Sequence, residues 1–273
     1  MRELVRGFIR GFRAAGYRVG KAVLRGLGYD VHLVRSYGQE DAIGEGVEDG
    51  HLYRKWSTDT TMWMPWLGDD AFRATFEGVA PHTVVSSDRC YTLFSLASQV
   101  RSLDGDFAEC GVFNGGTALL IARSMAGTDR KLFLFDSFEG LPEPDRAKDP
   151  GFEAGDFKSA SEKAVGKLLS EHQEAVDIRA GWIPETFDGL EDHRFAFVHI
   201  DVDLYQSTID CCEFFYPRLA AGGAMVFDDY GFPDTRGMRV AVEEFFADRP
   251  ERPFALPTGQ AIVTKLPNAE AAP

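Results

Sequence analysis

The stretch Phe197-Val198-His199-Ile200-Asp201-Val202-Asp203, together with Val226-Phe227-Asp228-Asp229 further on, limits the possible folds of this chain more than any other. Each is a short apolar run that breaks into carboxylates. Such runs read as strands buried on both faces, the kind found in an open parallel sheet. In that sheet, ligands bind in the crevice outside the carboxyl ends of the strands. Two neighbouring strands of this type bring Asp201, Asp228 and Asp229 to one rim. Three close carboxylates repel one another unless a cation lies between them. Hard oxygen ligands suit Mg²⁺, with Ca²⁺ or Mn²⁺ as substitutes. One aspartate at a strand end is as often a helix cap or a solvated turn. The adjacent pair plus a third at a matching strand end tips the reading to a metal site.

The rest of the chain supports an α/β class. From Ser86, which with Ser87 can cap a helix running to about Leu103, strand-like and helical patterns alternate. Strands are expected at Asp106–Val112, Lys131–Asp136, Ala175–Ala180, Arg194–Val202 and Ala224–Asp228. Helices are expected from about Gly116, within Ser159–Glu171, from about Ser207 to Ala221 and from about Arg236 to Ala247. Repeated βα units give a doubly wound, Rossmann-like and mainly parallel sheet. Phe254–Leu256 and Ala261–Lys265 flank Pro257-Thr258-Gly259 and predict a C-terminal antiparallel hairpin. Residues 268–273 are expected to fray.

Residues 1–85 read as an N-terminal helical arm and cap. Apolar residues recur at helical spacing through residues 1–29, with arginines between them and six glycines that weaken the helix. A basic amphipathic stretch of this kind can lie on an anionic membrane surface, but the favoured reading is an arm that docks on its own acidic body or on a second subunit, which predicts a homodimer or higher homo-oligomer. Trp56, Met62, Trp63, Met64 and Trp66 form an aromatic cluster able to wall a pocket or pack beneath a cap.

Charge narrows the function classes. The net charge is −14, and residues 1–29 alone hold seven basic side chains against one acid. The remainder is strongly acidic, which argues against nucleic acid as a partner, since phosphate binding needs a basic face. No apolar run reaches the roughly 18–20 residues of a membrane span, and no signal peptide is visible. Cys90, Cys110, Cys211 and Cys212 show no zinc-type spacing. A reduced, cytoplasmic protein is the simplest expectation.

The turn Glu109-Cys110-Gly111-Val112-Phe113-Asn114-Gly115-Gly116 closes the first core strand and opens a helix. Glycines there let backbone approach a ligand, and a helix N-terminus favours an anionic group. Asp136, at the end of the next strand, is placed to accept from a ribose diol, with Phe138 against an adenine face. An adenosine-containing cofactor follows. Glu109 would repel a pyrophosphate but can meet the ammonium group of an amino-acid cofactor, which favours S-adenosylmethionine (SAM) over a nicotinamide dinucleotide. SAM with a divalent ion points to methyl transfer onto a hydroxyl.

The strings GDFAECGVFNGGTA, LFDSFEGLPEP, FVHIDVDLYQST and GGAMVFDDYGFPDTRGMRVAVEEF resemble the macrocin/mycinamicin O-methyltransferase family, in order, from about Ser86 to Lys265. That resemblance implies a class I SAM-methyltransferase fold over residues 86–267 and a sugar hydroxyl as acceptor, on a deoxysugar of a glycosylated natural product. It implies Mg²⁺ ligands at Asp201, Asp228 and Asp229, with Asp201 also as general base. It places SAM against Glu109, Gly111, Asp136 and Ser137 and near Gly181-Trp182. Ser86, Asn114, Gly115 and Phe138 complete the cofactor-side candidates. Asn114 stands where relatives often have Arg, and Gln206 departs from the usual string. Asp203 or His199 is able to share the base role, although His199 reads first as structural. Three alternatives stay open: a catechol-type O-methyltransferase using the same carboxylates, a nicotinamide-dependent oxidoreductase, and a catalytically silent binding protein.

Overall fold

The computed structural model describes residues 45–48, 51–55, 61–158 and 161–267. The basic arm, Trp56 and the tail 268–273 lie outside them. The chain divides into two compact units, Met1–Gly46 with Tyr53–Met62, and Val47–Leu52 with Trp63–Pro273. The first falls largely outside the described residues. Short strands β1 (Glu45–Glu48), β2 (His51–Lys55) and β3 (Thr61–Trp63) form a three-stranded sheet in that order.

The second unit carries the larger architecture. Helices α1 (Pro65–Gly68), α2 (Asp70–Phe76) and α3 (Ser87–Val100) lead into β4 (Asp106–Cys110) and α4 (Gly116–Ser124). Next come β5 (Leu132–Asp136), α5 (Glu162–Leu168), β6 (Val176–Ala180), β7 (Phe195–Ile200) and α6 (Tyr205–Phe215). The chain closes with β8 (Leu219–Phe227), α7 (Arg236–Phe246), β9 (Phe254–Ala255) and β10 (Ala261–Thr264). The seven-stranded sheet runs β6-β5-β4-β7-β8-β10-β9. Its first five strands are parallel, and β10 is antiparallel to both β8 and β9. The expected doubly wound sheet and terminal hairpin are both present.

Two-residue alternation sends each strand's side chains to two cores. Phe107, Leu132, Leu134, Phe197 and Val226 face α3 and α4. Phe133, Phe135, Val198, Met225 and Phe227 meet Phe215 and Phe246 from α6 and α7 on the other face. Each fully buried Phe or Leu contributes about 1.5–3 kcal/mol of hydrophobic stabilisation. Burial on both faces explains why these strands read as unbroken apolar runs.

Two boundaries differ from expectation. The helix expected to reach Ala221 ends at Phe215, followed by a single 3₁₀ turn, and β8 begins at Leu219. Leu219-Ala220-Ala221 suits a helix or a strand by composition; pairing of Leu219 with Phe195 decides for the strand. Gly223 permits it, because a Cβ there would lie 2.9 Å from the Ala196 carbonyl oxygen. The core also begins before Ser86. Phe72, Val79 and Val85 are buried in it, and Trp66 packs against it rather than standing free as a pocket wall.

Candidate active site

Parallel register sets the site. Glu109 pairs with His199 across β4 and β7, and His199 pairs with Val226 across β7 and β8. Asp201 and Asp228 therefore follow their strands at one level, with Asp228 N–H donating to the Ile200 carbonyl at 2.9 Å. Asp201, Asp203, Asp228 and Asp229 all line one open cavity. The expected convergence of Asp201, Asp228 and Asp229 is present. Asp203 joins them with φ 59°, a left-handed backbone that non-glycine residues rarely adopt.

Sequence reasoning missed Arg89. Its guanidinium, on the first turn of α3, hydrogen-bonds Asp228 and lies 3.6 Å from Asp229. It also lies 5.0 Å from the centroid of the Phe232 ring. Gln260 in the C-terminal hairpin, completely buried, donates to Asp228 Oδ1 at 2.7 Å. His199 Nδ1 lies 2.8 Å from Glu109 Oε1, while its Nε2 is 3.4 Å from Asp228 Oδ1 without hydrogen-bond geometry. Nothing local in the sequence marks Arg89 or Gln260, since both reach Asp228 only through tertiary packing.

The carboxylates titrate unequally. Burial pushes Asp228 up, but Arg89, His199 and Gln260 outweigh it and hold the group below the usual carboxylate range. Burial and then the charges of Asp228, Asp229 and Asp203 push Asp201 well above that range. Asp203 rises through burial and Asp229, and Asp229 through burial and Asp228. Burial alone would lower the His199 imidazole, yet the Asp228 and Glu109 carboxylates raise it to about 9. Arg89 offsets one charge of the four carboxylates and leaves the cluster with a net negative charge facing the cavity. That donor set fits a hard divalent cation. His199, Asp201 and Asp228 also bring one donor atom each within 4.8 Å of one another.

The cofactor-side candidates split. Gly111, Asp136, Ser137, Gly181 and Trp182 line the cavity. Gly111 has φ 85°, and a Cβ there would fall 1.8 Å from the Asp201 carbonyl oxygen, so this glycine lets β4 and β7 converge beneath the site. Ser86, Glu109, Asn114, Gly115 and Phe138 do not line it. Ser86 Oγ accepts from Arg89 Nε at 3.3 Å instead of capping α3. Glu109 is completely buried beneath the turn, held by His199 rather than open to an ammonium group. Gly115 gives α4 a left-handed N-cap packed on Val165 and Leu168, and Gly116 abuts the His82 backbone and the Thr83 side chain. Those glycines serve packing. Phe138 packs against the α3/α4 core. Asp136 spends three of its acceptor positions on the backbone, taking Val112 N–H (2.7 Å), Phe113 N–H (3.0 Å) and Phe138 N–H (2.7 Å). It ties the glycine turn to its own loop, and about one of the four acceptor positions of a carboxylate remains.

This sheet order with a reversed last pair, and a cavity above the β4, β5, β7 and β8 ends, is the fold of class I SAM-dependent O-methyltransferases. The family model for macrocin O-methyltransferase (TylF) matches residues 68–252, and the chain belongs to that family. It is similar to an 8-demethyl-8-(2,3-dimethoxy-α-L-rhamnosyl)-tetracenomycin-C 4′-O-methyltransferase of Streptomyces olivaceus, 29% identical over 169 residues, which cover 57% of this chain and 65% of that protein. A demethyldecarbamoylnovobiocin O-methyltransferase of Streptomyces niveus is 30% identical over 167 residues, 55% of this chain and 62% of that protein. The match thus spans slightly less than two thirds of each of these relatives. Among solved structures, the O-methyltransferase NovP aligns with TM-score 0.61 and 25% identity over 68% of this chain and 83% of that one.

Proposed function

We propose that the protein transfers the methyl group of SAM to a hydroxyl of a sugar, on a deoxysugar of a glycosylated natural product, with Mg²⁺ at the carboxylate cluster. The observation that carries this reading is the convergence of Asp201, Asp203, Asp228 and Asp229 with the Gly111 turn and Gly181-Trp182 on one cavity. Family membership and the rhamnosyl acceptor named for the Streptomyces olivaceus relative support the sugar.

When bound, SAM supplies an electrophilic methyl on a sulfonium, and a divalent ion lowers the pKa of an acceptor hydroxyl. The chain supplies the rest. Gly111, Ser137, Gly181 and Trp182 are placed to bind SAM, and Asp136 holds the turn in shape. Asp201, Asp228 and Asp229 would hold the ion, and Asp201 accepts the hydroxyl proton. Alignment of the acceptor with the methyl is worth roughly 7–11 kcal/mol and a general base about 3–5 kcal/mol, so positioning is the larger effect. The acidic surface suits no nucleic acid, and among the described residues no helix is long and apolar enough to cross a membrane. A homodimer or higher assembly through residues 1–29, in a reducing cytoplasm, completes the proposal. All four cysteines are buried and free.

Calorimetric titration of SAM, then of Mg²⁺ into the SAM complex, tests it on wild type and on Asp228→Ala/Asp229→Ala. The expected result is SAM binding to both and Mg²⁺ binding to wild type alone. Absence of SAM binding overturns the cofactor reading, and SAM binding without Mg²⁺ makes the carboxylates structural.

A further inference from the structure

We infer that Glu109 and His199 form a buried positioning pair that fixes the orientation of Asp228 as a cation ligand. Both are completely buried, and neither lines the cavity, so they act through Asp228 and not on the substrate. The three residues form a chain of contacts from β4 through β7 to the residue that follows β8. Glu109 Oε1 lies 2.8 Å from Nδ1, and Nε2 faces Asp228 Oδ1 at 3.4 Å. Glu109 and His199 are register partners in a parallel pair, so the backbone ladder fixes their separation. With Nδ1 engaged by Glu109, the ring presents Nε2 at one place only.

Stability is not what such a pair supplies. Two polar groups taken from water into a sheet core gain little net free energy, and apolar replacements of similar volume are often neutral or better. Glu109 Oε2 also lacks a hydrogen-bond partner, a cost with no return in folding. What the pair does supply is direction, as the outer partners of metal ligands commonly do. Arg89 and Gln260 also hold Asp228, and His199 meets it from within β7.

This inference rests on the proposed cation site, and the experiment separates the two. Mg²⁺ is titrated calorimetrically into SAM-saturated wild type, Glu109→Gln and His199→Gln, with SAM affinity and thermal melting measured alongside. The expected result is Mg²⁺ affinity weakened about 10–100-fold in both variants, with SAM affinity within about twofold of wild type. A double variant, Glu109→Leu/His199→Leu, removes both buried polar groups and covers the case in which a single variant does not fold. It is expected to show the same loss. Folded variants that bind Mg²⁺ as wild type does, whatever their melting temperatures, overturn the positioning role and leave the cation site standing. Wild type that binds no divalent cation overturns the cation site and this inference with it.

Discussion

At the scale of single residues, Arg89 decides how the carboxylate cluster exists at all. Asp228 is completely buried, and its ion pair with Arg89 is shielded from water. Removing one partner of a buried pair leaves an uncompensated charge, which costs about 3–5 kcal/mol. Arg89→Met keeps the length of the side chain and removes the charge. It is expected to lower the melting temperature sharply in metal-free buffer, and millimolar MgCl₂ is expected to recover part of the loss. A melting curve indifferent to Mg²⁺ in that variant would count against a cation at this rim. Gly111 makes a second, steric prediction. Its left-handed φ costs a side chain roughly 1–3 kcal/mol, and a Cβ would collide with the Asp201 carbonyl oxygen. Gly111→Ala is therefore expected to separate β4 from β7 and to abolish SAM binding along with the loss of stability, read by calorimetry and thermal melting on the same sample.

At the scale of elements, the C-terminal hairpin is more than an edge to the sheet. It carries Gln260 to Asp228, and its end is fastened by Glu251, which is nearly fully buried. Glu251 accepts from the Tyr216 hydroxyl at 2.6 Å and from Leu266 N–H at 3.1 Å, and lies 3.8 Å from Lys265 Nζ. Burial pushes Glu251 up, but these partners, the Tyr216 hydroxyl foremost, outweigh it and hold its pKa below the ordinary 4.5. A carboxyl depressed in the folded state adds stability above its unfolded pKa, and that stability is lost as pH falls through the folded value. Wild type is therefore expected to lose stability below about pH 4.5 more steeply than Glu251→Gln. Melting temperatures between pH 3 and 7 test this. Equal slopes would show that the hairpin is held by its apolar contacts alone.

At the scale of the whole molecule, the unequal charge distribution carries the last prediction. Residues 1–29 are basic in an otherwise strongly acidic chain. Deleting them is expected to convert an assembly into a monomer, seen as a smaller hydrodynamic radius with SAM affinity intact. An unchanged size would show that the arm plays no part in assembly.

What the sequence determined by itself is what depends on local periodicity and on strand ends. Runs buried on both faces are apolar throughout, so β4, β5, β7 and β8 were legible, and the aspartates that end β7 and β8 followed. The cavity-lining Gly111, Asp136, Ser137, Gly181 and Trp182 were legible for the same reason, because turns after parallel strands face the ligand crevice. Only the tertiary structure decided what surrounds those aspartates. Arg89 and Gln260 lie 139 and 32 positions from Asp228 in the chain, and no local pattern links them. Packing also set Glu109 against His199, and Gly115 and Gly116 against neighbouring segments. The start of β8 at Leu219 followed from pairing with Phe195. A sequence states which side chains can ionise or bend the backbone; which partner each one meets is fixed only when distant segments close on one another.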